Sequence, residues 1–325
     1  MCCLRPPHYT HISKMIHQID IDAGAKEIVA EFKSGQPFFI GRNGSTEMEL
    51  LTYWLYKTAN GLPWKPELLA KIQRYSGVWP PTEDAIEEWA TTYLASLREL
   101  DGLAAGWYAP YAPTETRILD EYAPQAFRTP LRSLEPYYVE PQLRWSQHLA
   151  NKRVAVISSF ADSIYSQYTA DVPMSKTVWS SIKEPETLMP DSMVLMPIRT
   201  YFPDTISAGD KTSWPKGVES WKDAVDFIVK QTKAVKPDVA LIGCGGLGMI
   251  IAAELKRAGI SAIVLGGAIQ VLFGIKGMRW ASHDIISKFW NQHWVWPSIS
   301  ETPSSAGSIE GGCYWSNGRL STRTL

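Results

Sequence analysis

Residues 238–259, DVALIGCGGLGMIIAAELKRAG, run from a short apolar stretch through four closely spaced glycines into a helix-forming segment. An apolar run of five residues with no polar alternation is a strand buried on both faces. The same rhythm recurs at YYV (137–139), VAVISSF (154–160), MVLMPI (193–198), VALIG (239–243) and AIVLGG (262–267), with helical stretches at 217–235 and 248–258. Strands alternating with helices predict a parallel sheet covered on both sides. Nearer the N-terminus, 17–34 reads as a helix ended by Gly35, and 37–41 as a buried strand. Helices follow at 47–58, 66–76 and 82–99, with a short strand at 102–107. The expected fold class is α/β, a Rossmann-like, mostly parallel sheet with helices on both faces. The expected organisation is one domain over 17–297, with a sub-boundary near 130–150, between a tail at 1–16 and an irregular tail at 298–325.

Bulk properties narrow the partners. The net charge is −1, so no global basic field draws the chain to nucleic acid or to an anionic membrane. The longest apolar run, around 239–253, is broken by glycines and closed by Glu254 and Lys256, short of the ~20 residues that span a bilayer. The N-terminus MCCLRPPHYTHISK has no apolar core of a secretory signal, and Cys2, Cys3, Cys244 and Cys313 match neither a zinc pattern nor a disulfide framework. A reducing, cytoplasmic setting is therefore expected. Tryptophan is abundant, 14 in 325 residues, and its flat ring can serve either as core or as a stacking platform for a sugar.

Four stretches can carry chemistry. Gly243, Gly245 and Gly248 satisfy G-x-G-x-x-G between a strand and a helix, with Gly246 inside the turn. Such a turn lets backbone approach a diphosphate, and the following helix offers free N–H groups. The acid that grips a ribose in dinucleotide sites is missing, because the next strand, SAIVLGG, ends in Gly266-Gly267. That lowers the case for a nucleotide-dependent oxidoreductase or methyltransferase, and a plain tight turn is the structural alternative. Past the same strand, Gln270, Lys276 and Arg279 place cations where a diphosphate would lie, or else form a solvated helix end. FFIGRNGSTEMELL, 38–51, sets Arg42 and Glu47 at a strand's C-terminal lip, where open α/β sheets bind ligands; a capped helix with an Arg–Glu pair is the alternative. Ser158, Ser159 and Asp162 occupy the corresponding turn after VAVIS. FWNQHWVWP, 289–297, could wall a sugar site or act as a packing hook. There is no HxxxH pair and no G-x-S-x-G elbow, so zinc catalysis and hydrolase triads have little support.

Taken together, a strand leading into R-x-G-x-x-E and the later block GGAIQVLFGIKGMRW, 266–280, resemble the GT-D-type glycosyltransferases over roughly 25–280. The usual form in that family is Arg-aromatic-Gly-Asp-Gly-Glu. The resemblance implies a sugar moved from a nucleoside-diphosphate donor, UDP- or GDP-linked, to a carbohydrate acceptor in glycan or polysaccharide synthesis. Arg42, Gly44 and Glu47 carry over, with Arg42 and Glu47 as the catalytic pair. Gly44, Ser45, Ser158, Gly243, Gly245, Gly246, Gly248, Gly267, Gln270, Lys276 and Arg279 are expected on the donor. The resemblance also implies an Asp-x-Glu pair for Mn²⁺ or Mg²⁺, but Ser45 stands where the aspartate would be. Three outcomes stay open: Glu47 holds a metal with help from elsewhere, the leaving group is stabilised without metal, or the chain is an inactive nucleotide-sugar-binding module.

Overall fold

Along VAVI, Val154 and Val156 join one hydrophobic cluster, Ala155 and Ile157 another, and all four are fully buried. Only a strand covered on both faces hides every successive side chain. The computed structural model describes residues 20–207 and 209–316. It has a seven-stranded sheet: β1 Phe39–Gly41, β2 Gly102–Ala104, β3 Phe127–Thr129, β4 Arg153–Ser158, β5 Val194–Arg199, β6 Val239–Gly243 and β7 Ser261–Val264. The order is β3-β2-β1-β7-β6-β4-β5, and every neighbouring pair is parallel. The chain is thus an α/β protein of Rossmann-like class.

The principal helices are α1 Ile21–Ser34, α2 Ser45–Asn60, α3 Pro66–Ser76, α4 Glu83–Ser96, α5 Ala112–Tyr122, α6 Ala161–Tyr168, α7 Trp221–Val235, α8 Gly248–Arg257 and α9 Ala268–Leu272. Their ends follow local chemistry. Asp20 caps α1 by accepting from the amide of Asp22 at 3.0 Å, and Gly35 ends it in the left-handed region at φ 69°. Ser220 and Asp223 cap α7 reciprocally, the Ser220 hydroxyl donating to the Asp223 carboxylate at 2.7 Å. One face of the sheet is covered by α2, α3, α4, α5, α7 and α8, through Leu50, Ile72, Ile86, Ile118, Ile228 and Ile251. The other is covered by α1, α6 and α9, through Ile28, Ile164 and Ile269. Each such buried aliphatic side chain contributes about 1.5–3 kcal/mol, so the strands are stiff and the variable chemistry lies at their ends.

Three elements differ from the reading of the sequence. YYV, 137–139, is not a strand: Pro136–Tyr138 is a 3₁₀ turn with Pro136 in its first position. The strand of that region is β3, whose FRT carries too little apolar signal to stand out. Helix α5 was not expected, because APTETRILDEY reads as polar and holds a proline. No helix among the described residues is long and apolar enough to cross a membrane. Cys2 and Cys3 lie outside the described residues.

Two connections create the crevice. The chain leaving β1 enters α2, on the Ala155/Ile157 face, through Met48, Leu50 and Leu51. The chain leaving the adjacent β7 enters α9, on the opposite face, through Ile269, Val271 and Leu272. Connections that part to opposite sides of a parallel sheet leave an opening at the carboxyl ends of the strands.

Candidate active site

A cleft of about 570 Å³ occupies that opening. Its walls include Arg42, Gly44, Ser45 and Glu47 after β1, Gly243 and Gly245 after β6, and Gly266, Gly267, Gln270 and Arg279 after β7. The stretches singled out in the sequence on either side of a gap of some two hundred residues therefore meet, because β1 and β7 are hydrogen-bonded neighbours.

The turn after β1 is held from beneath. Asn43 is buried, its amide donates to Glu115 at 2.8 Å, and its side-chain oxygen accepts from the Tyr93 hydroxyl at 2.7 Å. Glu115 also accepts from the amide of Gly106 at 2.6 Å, and the Trp107 indole donates to the Asn43 carbonyl at 3.1 Å. Burial raises the pKa of Glu115 and lifts that of Tyr93 well above its usual value. This network fixes where Arg42 points. Its guanidinium stacks 4.4 Å over the Trp107 ring and forms no salt bridge among the described residues. Its buried Nε has no hydrogen-bond partner. Gly266 makes room for it: φ is +58°, and a Cβ there would strike Arg42 Nη1.

Glu47 lies in the first turn of α2 and is 6% exposed. Its carboxylate folds back over Gly44, so closely that a Cβ at position 44 would overlap it. It accepts from its own backbone amide and from the Ser76 hydroxyl, while burial raises its pKa. The alternative of an Arg42–Glu47 ion pair is not what forms.

The donor-side residues divide. Gly243 and Gly245 face the cleft, and Gly245 packs on the Ser76 carbonyl at the end of α3. Gly246 and Gly248 turn to the core instead, where the Trp89 indole donates to the Gly246 carbonyl at 3.0 Å. Gln270 is fully buried in the cleft wall; its amide donates to the Tyr314 carbonyl at 3.2 Å and its Oε1 has no partner. Arg279 faces the cleft but is paired with Glu310 and stacked 4.4 Å over Tyr314. Lys276 is off the wall. The amide of Lys276 donates to the Val295 carbonyl, the chain turns away from the sheet edge, and the ammonium sits 5.6 Å over the Trp290 ring. Ser158 is also off the wall: it is fully buried and its hydroxyl accepts from the amide of Phe160 at 3.1 Å. The helix N-terminus beyond it, at α6, is filled by Glu301, which accepts from the amides of Asp162 and Ser163 at 2.8 and 3.1 Å and from the Ser163 hydroxyl. Of the FWNQHWVWP stretch, Trp294 packs on Trp179 and Trp290 packs on Trp294, and neither lines the cleft.

A divalent cation at this turn would have Glu47 as its carboxylate ligand. Glu47 is the one carboxylate on its turn, its oxygens are engaged by Ser76 and its own amide, and no group of three His, Cys, Asp or Glu side chains comes together among the described residues. A Mg²⁺ or Mn²⁺ ion held by one carboxylate would complete its shell with water and donor phosphate oxygens.

Several wall residues gave little sign in the sequence. Trp107, Tyr201, Trp214, Tyr314 and Trp315 line the cleft with aromatic surface. Glu135, just past β3, adds a carboxyl whose pKa is pushed up to about 7 by burial, with Arg42 and the Tyr137 hydroxyl pulling it back. Residues 298–316 contain only short 3₁₀ turns, yet they bury Glu301, Ile309 and Trp315 and close one side of the cleft.

Compared with models of known families the chain matches none, and no curated protein matches it. Among solved structures it is similar to a selenomethionine-substituted domain of unknown function 1792, DUF1792, with a TM-score of 0.40 and 14% identity over 80% of this chain and 82% of that one. At that overlap the likeness speaks neither to kinship nor to activity.

Proposed function

We propose that the chain is a glycosyltransferase that moves a sugar from a nucleoside-diphosphate donor to a carbohydrate hydroxyl. The observation that carries this reading is the convergence, in one aromatic-walled cleft, of an arginine that forms no salt bridge among the described residues and two glycine turns at the carboxyl ends of neighbouring parallel strands. An anionic leaving group placed there meets the Arg42 guanidinium, a planar fork suited to phosphate oxygens, and the close-approaching backbone at Gly243–Gly245. Flat, wet-edged rings such as those of Trp107 and Tyr201 suit a sugar or a nucleobase. The resemblance of RNGSTE and of the 266–280 block to GT-D-type enzymes supports the same assignment. In this reading Arg42 neutralises the departing diphosphate, and Glu47 keeps the 42–47 turn in shape. The missing ribose-gripping acid after β7 speaks against a dinucleotide.

The experiment is a ligand screen by thermal unfolding, followed by donor cleavage. UDP or GDP should raise Tm, by mass action on the folded state, while NAD and S-adenosylmethionine should not. A protein that ignores both nucleoside diphosphates but is stabilised by NAD or S-adenosylmethionine would overturn the proposal.

A further inference from the structure

The cleft carries four carboxyl groups, and three of them are committed. Glu310 is paired with Arg279. Glu49 is paired with Lys71 at 2.5 Å. Glu47 is folded over Gly44 and held by Ser76 and its own amide. Glu135 is the fourth. It lines the cleft, keeps part of its surface open, and forms no ion pair among the described residues. It shares the cleft with Arg42, whose charge acts on it. It follows β3 at one edge of the sheet, whereas the Gly243–Gly245 turn follows β6, with β1 and its Arg42 between them in the strand order.

We propose that Glu135 is the general base of the cleft, taking the proton of the acceptor hydroxyl during transfer. The inference rests on the glycosyltransferase reading. In the step, the acceptor oxygen forms a bond to the anomeric carbon and the bond from that carbon to the phosphate oxygen breaks. The electron pair departs with the nucleoside diphosphate, beside Arg42, and the proton moves to the Glu135 carboxylate. Attack with the aid of a base on the acceptor side gives inversion at the anomeric carbon. The groups that set the charge of Glu135 are Arg42 from the β1 turn, Arg132 from its own segment, and the Tyr137 and Tyr138 hydroxyls that follow it. Burial outweighs the two arginines and leaves the carboxyl titrating at about 7, where a general base works best at neutral pH.

The test compares wild type with Glu135→Gln and Glu135→Asp, using UDP- and GDP-linked hexoses as donors and UDP and GDP as binding probes. The expected result is a loss of kcat of about 100-fold or more in Glu135→Gln. Its affinity for the nucleoside diphosphate should not fall, because the substitution removes a negative charge that acts on Arg42 and takes away no donor to the phosphates. Wild-type kcat should show an acid limb near pH 7 that is absent from Glu135→Gln and restored, at lower rate, in Glu135→Asp. The sugar product should be inverted. Glu135→Gln turning over at a rate close to wild type, or a wild-type profile flat from pH 5.5 to 8, would overturn the role of Glu135 alone. A wild type that neither binds the two diphosphates nor cleaves any donor would overturn the glycosyltransferase reading, and the base with it.

Discussion

At the scale of single residues the site turns on how Arg42 is held. Its guanidinium has an aromatic plane beneath it and a glycine beside it, and it forms no salt bridge among the described residues. Gly266→Ala tests this directly. The added methyl would strike Nη1, and the positive φ costs an alanine about 1 kcal/mol. We expect a modest drop in Tm together with at least a tenfold loss of UDP or GDP affinity measured by calorimetry; an alanine protein that binds as well as wild type would show that Arg42 does not face the ligand. Arg42 and Glu47 were legible in the sequence because a strand end followed by R-x-G-x-x-E is a local pattern. Glu135 was not, since nothing in LRSLEPYY says that Glu135 shares a cleft with Arg42, from a distant part of the chain. Ser158 and Lys276 show the converse: both stand in suitable strand-end positions, but a hydroxyl can turn to its own backbone and a lysine to a nearby indole.

At the scale of elements, the sheet was readable where strands are long and apolar. β4, β6 and β7 announce themselves as VAVIS, VALIG and SAIV, because a doubly covered strand has no room for polar side chains. Three-residue strands such as β2 and β3 depend on register with their neighbours, which no local pattern carries. The short helix α6 shows a similar dependence. Phe160 at its N-cap gives no side-chain hydrogen bond, and the carboxylate of Glu301, from far along the chain, satisfies its first amides instead. Glu301→Ala should therefore behave as loss of a buried cap, costing on the order of 2 kcal/mol. Urea unfolding should show a lower midpoint at unchanged slope; an unaltered midpoint would mean that water replaces the carboxylate at no cost.

At the scale of the whole molecule, burial of carboxyls around the cleft has a consequence for stability. Glu135 titrates at about 7 in the folded protein against an ordinary value of 4.5. Its raised pKa means that the folded state prefers the protonated form. Its contribution is therefore fully present below about pH 4.5 and is lost as pH rises through about 7. The buried carboxyls Glu47 and Glu115, also raised, act in the same direction. Between pH 4.5 and 7, Glu135 alone should cost roughly 2 kcal/mol, and Glu135→Gln should flatten that part of the curve measured by chemical denaturation. An identical slope in the variant would place the ionisation elsewhere.

The wall formed by residues 309–315 has an effect in another setting, that of ageing and proteolysis. Ile309, Glu310, Tyr314 and Trp315 border the cleft, while the sheet that dominates the fold lies far upstream in the chain. A protease nibbling inward from the C-terminus would therefore strip the chamber wall before it reached any strand. Nicked preparations should keep their spectroscopic signature of folding while losing nucleoside-diphosphate binding, and the ratio of the two would report the integrity of residues 309–315.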